Sequence, residues 1–254
     1  MSPPEEVHRK ALQQGLEGLQ EEMKTLADVT ERSIQKAVES LLRGDLAEAQ
    51  EVLALDREAY ALRRVIETSC VNLIALHAPV ARDLRMITTS LEITTDLGRS
   101  TRLARHISEV TQELAQERID VPPQLATLTR MAELSTQMVQ RAVQAFVHSD
   151  VESVRRMAEL DDAVDQLHDA LFQEIIKGMT DRTLPIPVGA RYVLVNRFLE
   201  RISDHAVSIG ERVVYMVTGA MPWNPLRRRA PSGETSPAHA PSAPDAGTPS
   251  PRVP

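Results

Sequence analysis

"AVESLLRGDLAEAQEVLALD", residues 37–56, and "AVQAFVHSDVESVRRMAELD", residues 142–161, decide the fold. Laid side by side they align Ala37 with Ala142, Asp45 with Asp150 and Asp56 with Asp161, at a constant offset of 105 residues. In each, a stretch with apolar residues at helical spacing gives way to a short polar break. An Asp, a residue type that caps helix amides, then opens a second such stretch. A later match, "DLGRSTRLARHI" (96–107) on "FLERISDHAVSI" (198–209), has an offset of 102, so the loop in between has changed length. A period this long does not fit a solenoid of small repeats. It fits an all-α chain made of a tandem repeat of two three-helix bundles.

Outward from the repeat, the helices can be placed one by one. Leu12, Leu16, Leu19, Met23, Leu26 and Thr30 step by three or four residues, the signature of an amphipathic helix with a bundle-like seam, and the pattern runs on to Leu41. After the break at Gly44, Asp45 caps a second helix that reaches about Leu76. "PVARDLRMI" opens a third near Pro79, where proline is tolerated because the first turn has no use for the missing amide hydrogen. That helix ends near Ala115. "DVPPQL" resets the chain at Pro122 and Pro123, and three more helices end near His148, Gly178 and Thr218, the last starting near Val188. The expected organisation is a first repeat over 1–115, a second over 116–222, and a tail over 223–254. Eight of the sixteen prolines fall from Trp223 onward among Ser, Ala, Gly and Thr, a composition that predicts disorder. Arg227 to Arg229 are read as the solvated start of that tail.

Composition narrows the function. The chain has 254 residues, 42% of them hydrophobic, and only three Phe, three Tyr and one Trp, so its core is built from aliphatic residues and Met. No apolar run is long enough to span a bilayer and "MSPPEEVHRK" has no signal-peptide core, which predicts a cytoplasmic protein without a transmembrane segment. The lone Cys70 cannot form an internal disulfide and reads as a packing residue. The net charge is -7, and the first 222 residues carry -9, which argues against nucleic acid as a partner. No GxxxxGK[ST] or GxGxxG motif occurs, so nucleotide hydrolysis is not expected.

Glu200 and Asp204 lie four residues apart, hence about 40° apart around a helix and about 6 Å along it, pointing the same way. Asp161 and Asp165 repeat the spacing on the preceding helix. Where the two helices are neighbours, four carboxylates face each other, and like charges repel unless a cation neutralises them. Two readings follow from spacing alone: a solvated face, or a site for a hard divalent or trivalent cation with oxygen ligands. Glu200 and Asp204 flank the seam residues Leu199, Ile202, Ala206 and Ile209, which places them at the edge of the packed face. Asp165 and His168 also form a D-x-x-H pair, with the His read as a surface or packing residue.

"LERISDHAVSIGERVVYMVTG", "PVARDLR" and "ELDDAVD", each at its place in the tandem repeat, closely resemble the PhoU family of phosphate-signalling regulators over about residues 10 to 221. Leu199, Glu200, Arg201, Ile202 and Asp204 match the family's L-E-R-I-G-D, with Ser203 in place of Gly. Pro79, Ala81, Asp83, Leu84 and Arg85 match its P-x-A-x-D-L-R, and Asp161 and Asp165 its second-helix acidic motif. The resemblance implies a non-catalytic, homodimeric adapter between the phosphate ABC transporter ATPase and a sensor histidine kinase, which restrains the phosphate-starvation response. It also implies metal at Asp161, Asp165, Glu200 and Asp204, with Fe, Zn, Mn and Mg all open. In the first repeat Tyr60, Gly98 and Arg102 stand where the second has Asp165, Glu200 and Asp204. Only Asp56 survives there, and an Arg102–Asp56 contact is expected in place of metal. The enzyme alternative, a carboxylate-bridged di-metal catalyst in a helical bundle, usually needs E-x-x-H pairs, and neither candidate site has one.

Overall fold

The computed structural model describes residues 3–118 and 126–220. The reset at Pro122–Pro123 and the tail from Trp223 lie outside the described residues. Six helices make up the rest: α1 Pro3–Arg43, α2 Leu46–His77, α3 Ala81–Gln116, α4 Ala126–His148, α5 Val151–Thr180 and α6 Ile186–Thr218. The all-α class read from the periodicity holds, with no strand among the described residues. Helix α1 begins well before Leu12, the first residue of the apolar seam. Residues 6–11 run past the core with exposed side chains, so no hydrophobic period marks them.

Within each repeat the three helices pack on one another, and the two repeats join through α1 against α4 and α3 against α6. Helices α1, α3, α6 and α4 thereby close into a ring of four, with α2 outside against α1 and α3, and α5 outside against α4 and α6. One hydrophobic cluster runs through both repeats, from Leu26 and Ile34 of α1 and Leu97 of α3 to Met138 of α4 and Leu199 and Ile202 of α6. Cys70 belongs to this core. It is fully buried, its thiol is pushed up to about 12 by burial and by Glu22 and Glu67, and its Sγ donates to Ile87 O at 3.7 Å.

Small hydroxyl residues set the distance between first and third helices. Thr30 and Thr101 meet Oγ1 to Oγ1 at 3.0 Å in the first repeat, and Ser203 Oγ donates to Ser135 Oγ at 2.9 Å in the second. These are equivalent positions at offsets of 105 and 102. All four are buried, and each hydroxyl also has the carbonyl one turn earlier in its own helix within hydrogen-bond reach, so a partner is available inside the core. Ser203 replaces the motif glycine without opening this contact. Arg85, the last residue of the other motif, donates from Nε to Met216 O at 3.1 Å, satisfying a free carbonyl in the last turn of α6 with a cation suited to the negative end of that helix.

The α1–α2 and α4–α5 corners are the same turn with one difference. Asp45 Oδ1 accepts from the amides of Ala47 and Glu48 at 2.9 and 3.1 Å, while Asp150 accepts from the Ser153 amide at 3.0 Å and from its hydroxyl at 2.6 Å. The residue before each cap is left-handed: Gly44 at φ 67° and Ser149 at φ 55°. A Cβ in that region costs roughly 1–2 kcal/mol, so the second corner is held in a conformation that its own residue disfavours. Ser149→Gly is expected to stabilise the chain by about 1 kcal/mol and Gly44→Ser to destabilise it by about the same. Denaturant midpoints at constant m-value measure both.

Candidate functional site

The predicted acids occupy the groove between α5 and α6. Asn196 Nδ2 donates to His168 O at 2.9 Å and fixes the register of the two antiparallel helices. One turn further along α6, Glu200 is level with about residue 165 of α5, and a second turn brings Asp204 level with about residue 161. All four acids are half-buried. Burial and the neighbouring Asp204 push Glu200 above its ordinary value of 4.5, Asp165 adds to the rise, and Arg197 and His168 oppose it. Glu200, Asp204, Asp165 and His168 therefore share one electrostatic environment. Asp161 sits one turn from Asp165 on α5.

Glu200 Oε1 accepts from Arg197 at 2.6 Å, but its Oε2 is buried without a hydrogen-bond partner, as is His168 Nδ1. A set of carboxylates with one buried oxygen unpartnered suits a hard cation in its chemistry. As the side chains stand, no three His, Cys, Asp or Glu residues among those described come close enough together to hold a metal ion. The acids line a common groove without converging on a point. His168, read from sequence as a bystander, is part of this groove.

The equivalent groove of the first repeat is neutralised from within, though not by the expected residue. Asp56 Oδ2 accepts from Arg105 Nη1 at 3.3 Å, and Arg105 Nε also donates to Glu109 Oε1 at 2.9 Å. Burial pushes Glu109 up, but bonds from His106 and Arg105 outweigh it and hold the carboxyl below its ordinary value. Arg102 is exposed and makes no ion pair, which corrects the expected Arg102–Asp56 contact. On the helix, Arg105 lies nearly one turn beyond Arg102, and that rotation turns it toward α2. Gly98, where the second repeat has Glu200, is equally occupied: a Cβ there would sit 2.5 Å from Arg63 Cδ. Arg63 is the counterpart of His168, so two cations lie where the second repeat keeps acids. Tyr60, the counterpart of Asp165, is 61% exposed.

Sequence reading gave no hint of the polar network in the α3–α6 seam. Asp96, 5% exposed, receives His205 Nδ1 at 3.1 Å and has Arg99 Nη1 at 3.7 Å and Arg212 Nε at 3.9 Å, while Arg212 also pairs with Glu92. Arg99 lies three residues from Asp96, but His205 and Arg212 lie more than a hundred residues away, so no local motif could have signalled the network.

A tandem three-helix repeat with a carboxylate groove on the outer side of the second repeat defines a class of helical proteins without an evident catalytic constellation. The family model described as "PhoU domain" matches it twice, over residues 23–111 and 128–213. The chain belongs to the PhoU family. It is 34% identical over 214 residues to a phosphate-specific transport system accessory protein PhoU homolog of Deinococcus radiodurans, covering 84% of this chain and 99% of that one. It is 32% identical to PhoU homolog 1 of Mycobacterium tuberculosis, over 79% of this chain and 89% of the relative. The crystal structure of PhoU from Pseudomonas aeruginosa superposes with a TM-score of 0.76 at 27% identity, over 82% of this chain and 99% of that one. The structure of the phosphate transport system regulatory protein PhoU from Streptococcus pneumoniae does so with a TM-score of 0.74 at 28% identity, over 83% of this chain and 98% of that one.

Two variants probe these networks. Asp96→Ala leaves His205 and Arg212 without their buried acceptor and is expected to cost about 3 kcal/mol, read as a fall in melting temperature of several degrees. Glu200→Gln acts in the opposite direction in chelator-treated protein. A carboxyl whose folded value is raised costs stability once pH rises through that value and the group ionises, so removing the charge is expected to raise the melting temperature at neutral pH. The gain should vanish as pH falls below the ordinary value of 4.5, where folded and unfolded carboxyls are both protonated. A gain that persists unchanged at pH 4 or below would rule out this electrostatic origin.

Proposed function

We propose that this chain is a non-catalytic regulator of phosphate uptake and phosphate-starvation signalling, acting as a homodimeric adapter between the phosphate ABC transporter ATPase and a sensor histidine kinase. The observation that carries the reading is the match of both repeats to the PhoU domain, with relatives named as accessory proteins of phosphate-specific transport and covered over nearly their full length. No helix among the described residues is long and apolar enough to cross a membrane, which accords with action from the cytoplasmic side on membrane-bound partners. Asp161, Asp165, Glu200 and Asp204 would hold a divalent or trivalent cation between α5 and α6. Support comes from the raised Glu200 and its unpartnered buried Oε2. Fe, Zn, Mn and Mg fit the donors in differing degree, the hard ions best.

In this reading the cation is regulatory: it removes the repulsion in the groove and ties α5 to α6. Asp161→Asn combined with Asp204→Asn keeps side-chain shape while removing ligand charge. The double variant is expected to fold and dimerise, to lose bound metal by elemental analysis, and to fail to repress a phosphate-starvation reporter in a strain lacking the native protein. Wild-type protein purified without chelator and free of metal would refute the cation. A metal-free variant that represses normally would refute its regulatory role, and co-purification from phosphate-replete cells without the transporter ATPase or a histidine kinase would refute the adapter.

A further inference from the structure

The acidic groove has a cationic counterpart at the junction of the two repeats. A cavity of about 270 Å³ opens between α3 and α6, lined by Arg99, Arg102 and Arg201, by His106 and His205, and by the apolar side chains of Leu103 and Phe198. None of its lining residues is acidic. Arg99 and Arg201 are equivalent positions of the two repeats at the offset of 102, so the cavity draws on both repeats and neither could form it alone. We propose that this cavity is a binding site for a phosphate group, free or esterified.

The charge around this cavity is unbalanced. Arg102 and Arg201 are both exposed, and neither makes an ion pair among the described residues. Arg99 has only a long contact, 3.7 Å, to Asp96. Asp96 is already shared with His205 and Arg212 and is not among the residues that line the cavity. His106 is oriented by Glu109, its Nδ1 2.8 Å from Oε2, with its ring packed 5.6 Å from that of Phe198. Three arginines lining one concave space repel one another unless an anion joins them, and low-dielectric walls strengthen the field inside it. Guanidinium forks match the oxygens of a tetrahedral dianion, each oxygen accepting from a different fork. The volume is that of a small compound, below the usual range for drug-sized ligands, and the concavity holds too little length for an extended acidic peptide. Phe198 gives the organic part of a phosphate ester an aromatic face to rest on. The groove stands on its own residues, apart from the regulatory reading and from any metal between α5 and α6.

The test is calorimetry on the full chain in the presence of chelator, so that phosphate carried by metal at the acidic groove does not register, with chloride matching the ionic strength. The ligands are inorganic phosphate, adenosine monophosphate and a Glu-rich peptide. Binding of one phosphate compound per chain is expected, at least tenfold weaker in Arg102→Ala/Arg201→Ala and unchanged in Asp161→Asn/Asp204→Asn. Because the two arginines are exposed and unpaired, their loss leaves the fold intact, which far-ultraviolet circular dichroism confirms. Tighter binding of inorganic phosphate identifies the free anion as ligand, and tighter binding of the nucleotide identifies the ester. No binding of either below about 10 mM, equal affinity in the double arginine variant, or binding of the acidic peptide alone would each overturn the proposal.

Discussion

Asp96 places a carboxylate inside the seam between α3 and α6, and the way the two repeats sit together depends on how that charge is met. Its partners are a histidine and an arginine from α6 and an arginine from its own helix, so the charge is compensated only when α3 and α6 are in register. Apolar packing is tolerant of sliding; a buried carboxylate with directional partners is not. The ring of four helices is closed through this seam and the smaller α1–α4 contact, where Gln20 and Gln140 reach across to Val147 O and the Glu31 carboxylate. Both candidate sites inherit their geometry from it, because α6 lends one face to the cationic cavity and another to the acidic groove.

The two repeats keep one scaffold and have divided the chemistry. At the hydroxyl contacts they are interchangeable, Thr30–Thr101 for Ser135–Ser203. At the grooves they have opposite character. Arg63 and Arg105 settle the first from within, and Gly98 is the residue that lets Arg63 lie down, since any side chain there would strike its stem. The second leaves Glu200 under repulsion from Asp204 and Asp165.

Local patterns carried much of this and non-local ones did not. Helix order and the ends of α2 to α6 were legible because the seam has a 3.6-residue period and because Asp45 and Asp150 are unambiguous caps; the overhang of α1 was not, because it contacts little. The four acids were legible from spacing, but spacing says nothing of depth or rotamer, so neither the unpartnered Glu200 oxygen nor the failure of the acids to converge could be read. Aligning the repeats position for position points to Arg102, whereas the structure satisfies Asp56 with Arg105, whose counterpart, Val207, is buried and apolar. Asp96, His205 and Arg212 meet only after the chain has folded back on itself, and no one-dimensional signal precedes that.

Ring closure also divides the molecule into elements of unequal permanence. Helices α2 and α5 touch only two neighbours each, both in their own repeat, whereas every ring helix is gripped by three. Detachment of an outer helix breaks one layer of packing; detachment of a ring helix breaks the whole core. Slow hydrogen exchange therefore belongs to α1, α3, α4 and α6, and the first opening events belong to α2 and α5. Since the carboxylate groove lies where an outer helix meets the ring, whatever occupies it acts as a latch on the part of the molecule that opens first.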